Sequence, residues 1–156
     1  FDFRDDGEWL AVLGAPVADS VGADLMVLRP GTDQMILVGN VGSFAWQEDG
    51  DLLAYTVRTA WGSTNGVEVL RPESGERRRI ETGDADYGSL RWDEASARLA
   101  VFRSRDTEDM EEETQDLLVW DDAMSGASPQ VLSAVDRAEL GDCRRERACH
   151  AQHSQR

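Results

Sequence analysis

With 31 acidic against 16 basic side chains, this chain of 156 residues carries a formal charge of −15. That sign counts against binding a phosphate backbone or an anionic bilayer surface. Apolar and charged contents of 40% and 30% are ordinary for a globular domain, and no apolar run approaches the ~20 residues of a membrane-spanning helix. Both cysteines, Cys143 and Cys149, lie near the end of the chain, so no disulfide framework holds the rest.

In chain order, Phe1-Asp2-Phe3 reads as the end of a strand. Asp6-Gly7 then predicts a tight hairpin, because glycine takes positive φ without steric cost. Strands follow over Trp9–Leu13, Leu25–Leu28 and Met35–Val38. Phe44-Ala45-Trp46 ends the next one, Asp49-Gly50 supplies a second hairpin, and Leu52–Val57, Val67–Leu70 and Arg78–Ile80 continue the series. Leu90-Arg91-Trp92 opens a third round, with Ala95-Ser96 in place of the Asp-Gly pair and so a turn of another type. Leu99–Phe102, Leu117–Trp120 and Val131–Leu132 complete it. The only helical signal is a turn or two over Ala134–Leu140.

These elements repeat. "FRDDGEWLAV", "WQEDGDLLAY" and "WDEASARLAV" begin at Phe3, Trp46 and Trp92, spacings of 43 and 46 residues. A second feature recurs in phase: the apolar runs starting at Asp24, Gly66 and Asp116, each followed by a turn rich in Pro, Gly, Asp or Ser. Several strands are apolar at successive positions, the mark of a sheet covered on both faces. Four short strands per unit, repeated without helices, predict an all-β fold, a partial β-propeller of about three four-stranded antiparallel blades. A β-sandwich would give similar strands but not this repeat. The blades are expected over 1–42, 43–88 and 89–135, with an irregular or disordered tail over 136–156.

The blade pattern resembles the TolB-like propeller repeat, aromatic–x–x–D-G–x–x–L-A-Y, best matched by "WQEDGDLLAYTV" at Trp46–Val57. More narrowly, Asn65-Gly66-Val67, Glu73-Ser74-Gly75-Glu76, Tyr87 to Glu94 and Leu99 to Asp106 resemble the N-terminal propeller of prolyl-oligopeptidase-type serine peptidases, as in many bacterial members. The resemblance covers residues 1 to about 132. It implies that the propeller is not the catalyst. In that family a separate α/β-hydrolase domain carries a Ser-Asp-His triad, with the Ser on a G-x-S-x-G elbow, and the propeller gates or positions the peptide.

No catalytic residue, metal site or cofactor is expected in this chain. Gly62-Ser63-Thr64-Asn65-Gly66 has Thr at the nucleophile position and lies in a strand-connecting loop. His150 and His153, the only histidines, fall in the polar tail, without the scaffold a proton shuttle needs. Cys143, Cys149 and His150 have C-x5-C-H spacing, unlike the C-x2–4-C pairs of structural zinc sites. The acidic run Asp106–Asp116 lacks the order of a calcium-binding loop and reads as a solvated connection; at the mouth of a ring it would disfavour acidic substrates. Trp9, Trp46, Trp92 and Trp120 fall at strands and read as core. Trp61, in the loop "TAWGSTNG", is the weak candidate for a recognition anchor.

Three blades leave a ring open, since closed propellers have four to eight. Two exposed blade faces then predict further blades in a longer parent protein, or self-association. The start of the chain at Phe1, inside a strand, points the same way, and the compartment, periplasmic or secreted against cytoplasmic, is left open. The leading reading is a non-catalytic propeller segment beside a downstream hydrolase domain. The runner-up is a TolB-like propeller that binds a protein or peptide and has no enzymatic activity. A propeller enzyme with its site in the central channel is disfavoured, because the inner strands offer Phe, Ala, Leu and Trp with Arg91 alone.

Overall fold

The computed structural model describes residues 1–16, 20–105 and 114–133. The strands are β1 (Asp2–Phe3), β2 (Leu10–Leu13), β3 (Ala23–Leu28), β4 (Met35–Trp46), β5 (Leu53–Val57), β6 (Gly66–Arg71), β7 (Glu76–Thr82), β8 (Asp86–Trp92), β9 (Leu99–Arg105), β10 (Thr114–Trp120) and β11 (Gln130–Ser133). Among the described residues the one helical element is a 3-10 turn, Gly62–Thr64. All pairings are antiparallel between chain neighbours: β1 to β7 form one hydrogen-bonded path, and β8 to β11 form a separate four-stranded sheet.

The strands expected at Met35–Val38 and at Phe44–Trp46 are one continuous strand of 12 residues. Its first half pairs with β3 and its second with β5, and Val41 faces both Ala23 and Val57. The chain bends here rather than stops. Asn40 takes φ of 60°, and the Gly42-Ser43 pair opposes the single residue Thr56 as a β-bulge, which increases local twist. A Gly-Ser pair recurs at Gly88-Ser89, where the bulge lies one residue later, Ser89 and Leu90 opposing Val101 of β9, and Ser89 has φ of 52°.

The turns after Phe3 and Trp46 are wider than the tight hairpins expected, and the turn after Trp92 has the same span. Arg4 N–H donates to Trp9 O at 2.9 Å, Gln47 N–H to Leu52 O at 2.9 Å and Asp93 N–H to Arg98 O at 3.0 Å, each closing a loop of four residues. Gly7 does take positive φ, 71°, but Gly50 does not. The third turn uses side chains instead: Ser96 Oγ donates to Asp93 Oδ2 at 2.5 Å and accepts from Arg98 N–H at 3.3 Å.

Two apolar clusters hold the strands together. One joins β2, β3 and the first half of β4 to β5 through Trp9, Ala11, Leu25, Val27, Leu53 and Tyr55. The other joins β5 and β6 to β8, β9 and β10 through Ala54, Val69, Leu90, Leu99, Val101 and Leu118. The repeated Leu-Ala-apolar triplet explains the division. In β5, Leu53 and Tyr55 enter the first cluster and Ala54 the second. In β9, Leu99 and Val101 face back into the second cluster. In β2, Ala11 faces forward into the first. The large residues thus point to the preceding unit and the alanine to the following one. With strand residues alternating in direction, a central unit is buried on both sides, and all of β5 is buried.

The inner tryptophans add a directional link. Trp46 Nε1 donates to Asp2 O at 3.2 Å, and Trp92 Nε1 donates to Ala45 O at 3.0 Å. Asp2 and Ala45 stand at the same place in successive repeats, each just before the aromatic. Trp92→Phe keeps a ring there but leaves the Ala45 carbonyl without its donor. It should cost about 1–2 kcal/mol, read as a lower urea midpoint with an unchanged m-value; an unaltered midpoint would show that the bond contributes nothing.

Candidate functional site

At one end of the sheets the loop 58–65, between β5 and β6, meets the short β7–β8 connection. Asn65 ties them. It is buried; its Oδ1 accepts from Thr59 N–H at 2.8 Å, and its Nδ2 donates to Ala85 O at 3.0 Å. Its carbonyl accepts from Gly83 N–H at 3.1 Å and Thr82 Oγ1 at 3.2 Å. A buried amide with every group paired is a rigid strut. The sequence presents Asn65-Gly66 as an ordinary turn dipeptide, and only the fold shows Asn65 as the hub of this loop.

On that support the 3-10 turn carries Trp61, whose side chain is 80% exposed. Its carbonyl is held by Thr64 N–H at 2.9 Å and Thr59 Oγ1 at 3.1 Å, so the backbone is fixed while the indole is free. Beside it lies an open cavity of about 720 Å³, lined by Arg58, Thr59, Asn65, Asp84, Asp86 and Ser104 among others. Arg58 Nε stands 3.4 Å from Asp86 Oδ1, both half exposed or more. The wall therefore offers one loosely paired cation and two carboxylates, while Trp61 stands in the adjoining turn and is not part of the lining.

A second cavity, of about 510 Å³, runs along the first strands of the three repeats, between Phe3, Ser43, Ser89 and Arg91. Arg91 is exposed there. Behind the loop face, Arg103 bridges Asp116 at 2.7 Å and Glu81 at 3.6 Å. The Arg103 hydrogen bond holds the Asp116 carboxyl below its ordinary pKa. Burial first, then the charge of Glu81, pushes the Tyr87 phenol up to about 12.

Of the residues weighed from sequence, Trp9, Trp46 and Trp120 are buried, Trp92 is half buried, and Trp61 alone among the five is exposed. Thr64 of the Gly-Ser-Thr-Asn-Gly string spends its hydroxyl on Thr59 Oγ1, 2.6 Å away, and on Trp61 O. The last three residues of the acidic run belong to β10, with Asp116 paired to Arg103 and Arg105. The rest of that run, the expected helical turn at Ala134–Leu140, and Cys143, Cys149, His150 and His153 lie outside the described residues. Among the described residues no group of His, Cys, Asp and Glu is arranged to hold a metal.

No family model and no curated protein sequence matches the chain. Solved structures do match it. The β-propeller domain of the trilobed protease from Pyrococcus furiosus, described as having an open velcro topology, superimposes with a TM-score of 0.62 at 16% identity, covering 85% of this chain and 41% of that one. The Pyrococcus horikoshii acylaminoacyl peptidase gives 0.57 at 12% identity, covering 80% of this chain and 23% of its own. An acylaminoacyl peptidase in complex with Z-Gly-Gly-Phe-chloromethyl ketone gives 0.61 at 13%, with 85% and 24% covered. The chain spans less than half the length of each of these structures. Its antiparallel sheets have the fold of a section of β-propeller, similar to the propeller domains of prolyl-oligopeptidase-type peptidases.

Proposed function

We propose that the chain forms three consecutive four-stranded blades, 1–42, 43–88 and 89–135, of a propeller that gates or positions peptide substrate in a prolyl-oligopeptidase-like serine peptidase. The bond-making residues belong to a separate α/β-hydrolase domain of the parent protein. The observation that carries this reading is the likeness in fold to peptidase propellers, joined to the "WQEDGDLLAYTV" repeat at Trp46–Val57. The long β4 then serves two blades, its first half closing the first and its second half opening the next. The sequence has no G-x-S-x-G, which supports a supporting rather than a catalytic part. Trp61 and the carboxylates of Asp84 and Asp86 are its contacts to peptide, with the exposed indole as the anchor.

Sequencing the parent gene beyond codon 156 tests the reading. It should run on into further strand repeats and a G-x-S-x-G hydrolase domain, and the encoded peptidase with Trp61→Ala should lose about tenfold in kcat/KM on a peptide substrate, or roughly 1.4 kcal/mol. The isolated chain should take up no fluorophosphonate label. A parent without a hydrolase domain would remove the peptidase reading in favour of a protein-binding propeller, and an unchanged kcat/KM would remove Trp61 from the contact surface.

A further inference from the structure

The outer edge of the first unit is an unguarded strand. β4 pairs with β3 over Met35–Val38 and with β5 only from Val41 onward, so among the described residues the other side of Met35–Val38 has no partner strand. The direction of its free groups follows from the turn before it. Arg29 N–H donates to Gln34 O at 3.1 Å, and these two residues continue the register in which Leu28 faces Met35. Hydrogen-bonded and non-hydrogen-bonded pairs alternate along an antiparallel ladder. Ile36 and Val38 therefore spend their backbone groups on β3, and the N–H and C=O groups of Met35 and Leu37 point out along the free edge.

Such an edge is a template for another strand unless charge, proline or a bulge guards it. β4 has no charged residue from Met35 to Trp46, and Met35 and Leu37 are each 59% exposed. The outer edge of the second unit is guarded, since β7 reads Glu-Arg-Arg-Arg-Ile-Glu-Thr. The chemistry of the β4 edge selects its occupant. Outward groups pair with outward groups, so a second β4 fits antiparallel with Met35 opposite Leu37 of the other copy and Ile36 opposite Ile36 at the two-fold axis. The two exchanged pairs make four N–H···O=C bonds. Asp33 then stands opposite Gly39 and Gln34 opposite Val38, so no like charges meet. The same operation centred on Arg78 of β7 would set Arg77 against Arg79 and Arg78 against itself, which like-charge repulsion disfavours.

We infer that two copies of this chain pair edge to edge through Met35–Val38, joining their first units into one continuous antiparallel sheet. A contact that satisfies itself in this way is isologous and closes at two copies. Successive units of one chain meet through sheet faces, so a further unit before or after this stretch leaves the outer edge of β4 free. The pairing therefore holds whatever precedes or follows these residues, and it is independent of any peptidase activity. The charge of −15 per chain opposes association, and salt, by screening it, should favour the pair.

Light scattering behind gel filtration, in about 0.5 M NaCl to screen the charge, tests this on the chain and two variants. The wild-type chain should run at twice its 17.3 kDa mass. Leu37→Pro keeps an apolar side chain and the ladder to β3, because the N–H it removes points outward, where an edge strand tolerates proline. It should raise the dissociation constant of the pair about tenfold or more, since one hydrogen bond is lost from each copy. Met26→Lys puts a charge on the same face, opposite Leu37, but on a strand paired along both edges, and should leave the pair intact. A wild-type monomer would overturn the inference, and so would a pair that Met26→Lys dissociates and Leu37→Pro does not, the mark of stacked faces. A cross-link tests the register without the proline. With Cys143 and Cys149 replaced by Ser, Ile36→Cys should oxidise to a covalent two-chain species, because Cα atoms of a non-hydrogen-bonded pair lie about 4.5 Å apart, within reach of a disulfide. Met35→Cys should not, since the two copies of residue 35 stand diagonally, roughly 7–8 Å apart. No cross-link at position 36, or equal cross-linking at both positions, would overturn the pairing.

Discussion

Gly66→Ala should lower the unfolding free energy by about 3 kcal/mol, near the upper end for forcing an atom into a packed interior. A Cβ at this position would lie 2.2 Å from the carbonyl oxygen of Glu81, with the Glu81 carbon and Thr82 Cα also within 3.3 Å. These are backbone atoms of the neighbouring strand, so no rotamer change makes room. Gly66 is also paired on both sides, to Val57 and to Thr82, and relief of the clash would pull the β6–β7 ladder apart next to its bulge. Gly22→Ala is expected to behave alike: its Cβ would meet Asn40 backbone atoms at 2.5 and 2.7 Å and Arg58 O at 2.8 Å. Gly7→Ala is the control. Nothing lies within 4 Å of its Cβ, but φ is 71°, so the cost is conformational alone, about 1 kcal/mol. Urea denaturation of the three variants should separate them into two groups. Equal midpoints for Gly66→Ala and Gly7→Ala would show that the strands yield freely and that close approach is not what position 66 requires. Because Gly66 follows Asn65, the substitution should also disturb the loop that carries Trp61.

The architecture was legible because its cause is repetitive. The Leu-Ala-apolar triplets and the aromatics before them are spaced by whole units, and each repeat meets the next in the same way. Strand positions followed from local apolar runs, and Ala11, Ala54 and Ala100 could be matched before any contact was known. The merging of two strands into β4 was not legible. Gly39 and Asn40 look like a break, and only pairing to β3 on one half and β5 on the other keeps the strand continuous. The Asp-Gly pairs suggested two-residue turns for the same reason: local turn chemistry does not reveal that the closing hydrogen bond lies one residue further out at each end. At the loop face, the exposure of Trp61 was readable from its polar neighbours. The role of Asn65 was not, since its partners Thr82, Gly83 and Ala85 come from another connection. The salt bridge of buried Arg4 with Glu73 spans two repeats and leaves no periodic trace, because Gln47 and Asp93 stand at the equivalent positions.

Tyr55→Phe should destabilise the protein by about 2 kcal/mol at neutral pH, the cost of leaving a buried acceptor short of its donor. Tyr55 is fully buried, and its hydroxyl donates to Glu68 Oε2 at 2.5 Å. Glu68 is itself buried and takes its other support from Arg79, at 2.8 Å from Oε1. The three residues lie in one cross-strand row of β5, β6 and β7. The effect has a pH signature. Burial, reinforced by the hydrogen bond to Glu68, pushes the Tyr55 phenol above its ordinary value. A group raised in the folded state contributes its full stability below the unfolded pKa, here about 10, and loses it as pH rises further, because the unfolded chain releases the proton first. The wild-type protein should therefore lose up to about 1.4 kcal/mol per pH unit above that point through this one residue, and the variant should not. Tyr87, the only other tyrosine, is present in both and cancels in the difference. Urea midpoints measured at pH 7, 9, 10 and 11 should show the gap between wild type and Tyr55→Phe constant to about pH 9 and narrowing beyond. A gap that stays constant to pH 11 would mean that the phenol ionises as readily in the folded protein as in the unfolded chain, and the buried Tyr55–Glu68 pair would then have no part in holding the strands together.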